Sequence, residues 1–124
     1  MQPIARWHQF ITSRDPRILD ELLADDAVFW SPAVHAAQPG KSLVAKYLVA
    51  ALAVLGNAGF RYTDEWLGDR SAVLQFEVAL DGVNVNGVDL IRWNDAGQIV
   101  EFKVMIRPTK ALNTVVAKMA AQLA

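Results

Sequence analysis

The sequence predicts an α+β fold, in which N-terminal helices pack on a curved antiparallel sheet and a closing helix follows. Three observations carry this. Apolar residues recur at helical spacing through the first half of the chain. They alternate at period two through most of the second half. Two turn signals, Asp81-Gly82 and Asn94-Asp95-Ala96-Gly97, separate the alternating runs as hairpin turns do. Helices segregated from an antiparallel meander define the α+β class. The length, 124 residues, suits one domain spanning 1–124.

In order along the chain, Ile4, Trp7, His8 and Ile11 share one helical face. Asp15-Pro16 reads as an N-cap followed by proline in the first turn. Ile18, Leu19, Leu22 and Leu23 give that second helix its stripe, and Asp25-Asp26 is expected to end it. Ala27 to Trp30 reads as a short buried strand stopped by Ser31-Pro32, and Val34 to Lys41 as a loop. A third helix is expected from Ser42 to Leu55, with Val44, Leu48, Leu52 and Leu55 on one face and Gly56-Asn57 closing it. Gly59 to Leu67 is a strand that sets Phe60, Tyr62, Asp64 and Trp66 on one side. Ala72, Leu74, Phe76, Val78 and Leu80 alternate in the next. Val83 to Trp93 and Ile99 to Ile106 complete a four-stranded meander, and Pro108 opens the last helix.

Composition excludes several classes. Hydrophobic residues are 53% and charged residues 20% of the chain, with a formal charge of −1. Such apolar content does not fit a disordered chain. Near-neutral charge argues against a nucleic-acid partner. With no cysteine and two histidines, disulfides, thiolate chemistry and a multi-histidine metal site have no material. The start shows no secretory signal, and the longest apolar run, Tyr47 to Leu55, is far short of the roughly 20 residues of a membrane span. The expectation is a cytoplasmic protein with no membrane partner. No glycine-rich phosphate loop, nucleophile elbow or zinc-binding His-Glu-x-x-His is present.

Period-two counting along Val83 to Trp93 isolates one residue. Val83, Val85, Gly87, Asp89, Ile91 and Trp93 share a face, so Asp89 points with the apolar set. A carboxyl there is paired, hydrogen-bonded, or kept neutral by a raised pKa. A structural role, capping a helix or pairing with Arg6 or Arg107, stands beside a functional one in acid/base chemistry. A bulge at Gly87 would turn Asp89 to the other face. His35, in the loop after Ser31-Pro32, is a second acid/base candidate. Asp64 and His8 read as structural.

Two segments resemble the nuclear-transport-factor-2-like superfamily, in its branch of SnoaL-like polyketide cyclases and ketosteroid isomerases. They are Leu23-Ala24-Asp25-Asp26-Ala27-Val28-Phe29-Trp30-Ser31-Pro32, and the stretch from Gly87-Val88-Asp89-Leu90-Ile91-Arg92 through Gly97-Gln98-Ile99-Val100-Glu101-Phe102. The resemblance implies a cone-shaped fold with a deep apolar pocket between sheet and helices, and dimers through the outer sheet face. It places Asp89 where cyclases hold their acid/base group and isomerases a protonated oxyanion donor. It places Ser31 where the isomerases have a general-base aspartate and Trp7 where they have an oxyanion-hole tyrosine. Serine is no base at neutral pH, and an indole only donates.

These readings combine into one expectation. Trp7, Trp30, Leu48, Leu52, Phe76, Asp89, Trp93, Phe102 and Val104 line a pocket for a small apolar carbonyl compound. Asp89 and His35 carry cofactor-free acid/base chemistry there, an isomerisation, cyclisation or related lyase reaction. The alternative is a non-catalytic apolar-ligand-binding or dimeric interaction module. Val73, Gln75, Val88, Leu90, Ile99 and Met105 on the outer sheet face point to a homodimer.

Overall fold

Helix α1 (Gln2–Ser13) buries Pro3, Ile4, Trp7 and Phe10, one residue per turn or so along a single stripe. The computed structural model describes residues 2–124. Helix α2 (Pro16–Leu22) opens as the sequence predicts. The Asp15 side chain accepts from the Arg17 backbone N–H at 3.0 Å, and Pro16 stands in the first turn.

Strand β1 (Leu23–Trp30) begins earlier than expected, because α2 ends at Leu22 and not at Asp25-Asp26. The two aspartates sit in an irregular stretch between Leu23 and Val28, both exposed, while Ala24 and Ala27 remain buried. A bulged strand lets consecutive carboxylates reach water without losing the ladder on either side. Strand β2 (Gln38–Pro39), within the expected loop, pairs with Val28 and Phe29 at the sheet edge, where proline is tolerated.

Helix α3 (Lys41–Leu55) buries Val44, Leu48, Leu52 and Leu55. Strands β3 (Arg61–Leu67), β4 (Ser71–Leu80), β5 (Val83–Trp93) and β6 (Ile99–Arg107) form the expected meander, and α4 (Thr109–Leu123) follows. Asp81 and Gly82 both have positive φ, 50° and 77°, as a two-residue type I′ turn requires. The side chain of Asn94 holds the next turn by accepting from the N–H groups of Ala96 and Gln98.

Among the described residues the strands make one six-stranded sheet, in the order β2-β1-β6-β5-β4-β3. All neighbours are antiparallel except β1 and β6, which run parallel with Phe29 beside Phe102. The sheet curves around α1, α3 and α4, and the core fills the concave side. Among the described residues no helix is long and apolar enough to cross a membrane.

Two corrections follow from bulges. The register of β3 shifts between Tyr62 and Asp64. Tyr62 keeps the inward face with Phe60, whereas Asp64 and Trp66 turn outward, opposite Gln75 and Val73, and Trp66 is 52% exposed. A second shift separates Arg92 from Trp93 and sends Ile99 inward, fully buried, so it is not on the outer face.

No bulge occurs at Gly87, where pairing is continuous on both sides. That glycine serves close approach instead. A Cβ there would run into the Phe76 ring and stand 2.8 Å from the Met105 carbonyl oxygen. Gly87→Ala is therefore expected to cost about 1–3 kcal/mol, measured by urea denaturation, as the Phe76 ring is pushed off β5.

Candidate functional site

Between the concave sheet and α1, α3 and α4 lies a cavity of about 200 Å³. Strand phase decides what faces it. Phe76 on β4, Asp89 on β5, and Phe102 and Val104 on β6 all point inward and line it. Trp7 closes it from α1, and Leu48 and Leu52 from α3.

Trp30 and Trp93 do not line it. On β1 the inward position belongs to Phe29, so Trp30 faces out. There it donates its indole N–H to Glu101 at 3.2 Å, with the Lys103 ammonium 5.2 Å from its ring centre. Trp93 is inward and buried, but it lies four residues past Asp89, roughly 13 Å along the strand, opposite Ile99 at the other end of the sheet. The sequence reading also missed Phe29, Tyr62 and the α4 residues Val115, Met119 and Leu123, which line the cavity.

Asp89 is 6% exposed and, among the described residues, is the buried charged residue of the core. Its cross-strand neighbours are Leu74 and Val104, neither able to compensate a charge. The suggested arginines are engaged elsewhere, Arg6 with Glu21 at 3.6 Å and Arg107 with Asn86 at 3.3 Å. Asp89 instead accepts a hydrogen bond from the Tyr62 hydroxyl at 2.6 Å, and that hydroxyl accepts from Trp7 Nε1 at 2.9 Å. An indole has no acceptor, so Trp7 donates to Tyr62; toward the ionised Asp89, which can only accept, Tyr62 is the donor. The hydrogen bond is to Oδ2. Among the described residues no protein group is bonded to Oδ1, on a side chain that lines the cavity.

Burial pushes the Asp89 carboxyl up to about 7, against the Tyr62 hydrogen bond, which pulls it down. Burial, and next the neighbouring Asp89 carboxylate, push the Tyr62 hydroxyl well above its ordinary value. Tyr62 is held from the other side by His8, edge-on to its ring at 5.3 Å, and His8 Nε2 lies 3.5 Å from Glu65. His35 is exposed and does not line the cavity, although Ser31 to Val34 of the same loop do. Among the described residues no three His, Cys, Asp or Glu side chains gather as a possible metal site.

The raised Asp89 pKa has a thermodynamic consequence. The folded state holds this proton up to about pH 7, while the unfolded chain releases it near 3.8. The folded state thus binds more protons between about pH 4 and 7, and stability falls as pH rises through that window, by on the order of 4 kcal/mol. Asp89→Asn keeps an acceptor for Tyr62 and removes the titration. Urea denaturation at pH 5 and pH 8 should find the variant more stable than the parent at pH 8 and its pH dependence flattened. A variant less stable than the parent at pH 8 would mean that the folded protein favours the carboxylate.

The model of the SnoaL-like domain family matches residues 4–102, a stretch that contains Trp7, Tyr62 and Asp89 and ends before α4. A crystal structure of a steroid delta-isomerase from Pseudomonas aeruginosa is 35% identical, with a TM-score of 0.92 over 98% of this chain and 89% of that one. A cystatin-like-fold protein from Silicibacter pomeroyi is 29% identical, with a TM-score of 0.87 over 97% and 84%. A candidate SnoaL-like polyketide cyclase from Jannaschia is 13% identical, with a TM-score of 0.71 over 97% and 92%, and shares the fold alone. No curated protein matches. With its helices, its curved six-stranded sheet and this family match, the chain belongs to the SnoaL-like family and has the nuclear-transport-factor-2-like fold.

Proposed function

We propose that the protein is an enzyme of the isomerase or cyclase type, carrying out cofactor-free acid/base chemistry on a small apolar carbonyl compound. The observation that carries this is the Tyr62–Asp89 pair in a mostly apolar cavity, with Asp89 Oδ1 uncommitted. A carboxyl with a pKa near 7 populates both of its forms at neutral pH, which suits a group that must take a proton and give it back. The similarity to a steroid delta-isomerase supports the reaction class.

In the proposed reaction the Asp89 carboxylate takes a proton from a carbon next to the carbonyl. The C–H electron pair forms a carbon–carbon double bond, and the carbonyl oxygen takes the negative charge. The same carboxyl then returns the proton to a different carbon of the extended enolate, and the carbonyl re-forms. Tyr62 orients Asp89 and stabilises its anion. Ser31 and Tyr47 line the same cavity, and among the described residues neither hydroxyl donates to a protein acceptor. They supply neutral donors for the oxyanion. The step gives His35 no part.

Three outcomes test this. In an assay of deuterium exchange and double-bond migration on a panel of β,γ-unsaturated ketones, Asp89→Asn should lower kcat/KM by about 10²–10⁴-fold. Ligand binding without any turnover in the parent protein would assign the cavity to ligand holding instead. The parent kcat/KM should rise with pH to a plateau above about 7. Tyr62→Phe should move that rise to higher pH, because it removes the hydrogen bond that lowers the Asp89 pKa.

We also propose a homodimer through the outer sheet face. Val73, Val88 and Leu90 lie there half-buried, and Met105 and Trp66 are each 52% exposed. An apolar face of this kind is ordinarily covered. Light scattering at about 10 μM should give twice the chain mass, and Leu90→Arg should give the monomer.

A further inference from the structure

We infer that this site takes compounds of one or two rings, entering carbonyl end first, and that Met119 and Leu123 of α4 set the upper limit on their size. The inference rests on the proposed acid/base reading for its orientation and on the cavity itself for its size limit.

Size is the first argument. An apolar cavity of about 150 Å³ holds one benzene ring. The space here, about 200 Å³, adds room for a short substituent or part of a second ring. It lies below the roughly 300–1,000 Å³ common for larger ligands. Four fused rings would need roughly two to three times the benzene volume or more, and their far end would have to displace the wall.

Polarity sets the direction of entry. Asp89 is 6% exposed, whereas the lining residues Val34 and Val116 are 47% and 37% exposed and mark the mouth. A molecule with one polar end satisfies Asp89 only by entering with that end foremost. Its apolar end then meets Met119 and Leu123 of α4, neither of which offers a polar side chain. Burying that end against them is favourable only as far as the wall allows.

The wall is α4, which lies outside the stretch matched by the family model. It is held against the hairpin turn by Lys118, whose ammonium is 2.9 Å from Asp81. Met119 and Leu123 are one helical turn apart on its inner face, partly buried. They are the long flexible side chains of this wall, so their length sets the depth available.

Calorimetric titration of the full chain with three phenols tests this without relying on turnover. Phenol, 2-naphthol and the four-ring phenol 17-deoxyestradiol each present one hydroxyl to Asp89 and are apolar elsewhere. Larger apolar ligands ordinarily bind more tightly, so a reversed order is diagnostic. The parent protein should bind phenol and 2-naphthol, and 17-deoxyestradiol at least tenfold more weakly than 2-naphthol. Met119→Ala combined with Leu123→Ala should shift the 17-deoxyestradiol-to-2-naphthol ratio at least tenfold toward 17-deoxyestradiol. Met119→Phe, a second variant, should weaken 2-naphthol relative to phenol at least threefold. 17-Deoxyestradiol binding as tightly as 2-naphthol would overturn the inference. So would no binding by any probe, or ratios unmoved in whichever variants fold. Binding that obeys the size order while no ketone is turned over would leave the inference standing and defeat the enzymatic reading instead.

Discussion

An indole N–H can donate a hydrogen bond and nothing else, and the polarity of the site follows from it. Because Trp7 donates to Tyr62, the phenol keeps its own proton for the Asp89 carboxylate. Asp89 is thereby given one donor on Oδ2 while Oδ1 is left for the cavity. The chain of two bonds also joins α1 to β3 and β3 to β5, so the helix that closes the cavity and the strand that bears the carboxyl are fixed by the same contact. A tyrosine in place of Trp7 could accept as well as donate, and could draw the Tyr62 proton away from Asp89. Tyr62, supplied by β3, is the phenol at this carboxyl, while the α1 position that the family resemblance gives to a tyrosine holds the indole.

The contact depends on sheet geometry. β3 and β5 are separated by β4, two strand spacings or roughly 9–10 Å. Tyr62 reaches across because its face is concave and because Phe76, the intervening inward residue, lies down over Gly87. Curvature, glycine and bulge act together here. Without the shift after Tyr62, Asp64 and Trp66 would share its inward face instead of turning outward.

Much of this was legible in the sequence. Strict alternation in β5 placed Asp89 inward, and continuous pairing through Gly87 kept it there. Turn chemistry marked both hairpins. What the sequence did not disclose is long-range. The Tyr62–Asp89 bond links residues 27 apart and needs a bulge that no residue type announces. Trp30 was assigned by its apolar character, although alternation from the buried Phe29 sends it outward. Trp93 had the right phase and the wrong depth, since periodicity gives a face but not a distance along the cone. His35 was placed near a mouth by its loop, and its side chain ended in solvent.

The parallel pairing of β1 with β6 bears on how the molecule is made. Phe29 comes to rest beside Phe102, and Leu23 beside Ile99. During synthesis β1 therefore waits for a partner that lies far behind it in the sequence. The concave surface cannot close while β6 is still missing, so α1 and α2 carry their apolar stripes without it until β6 is made. Such distant pairing slows folding, because the loop entropy is lost before the contact forms. The exposed Asp25-Asp26 pair in β1 puts two charges into that waiting strand, a feature that discourages it from pairing with another nascent chain in the interval.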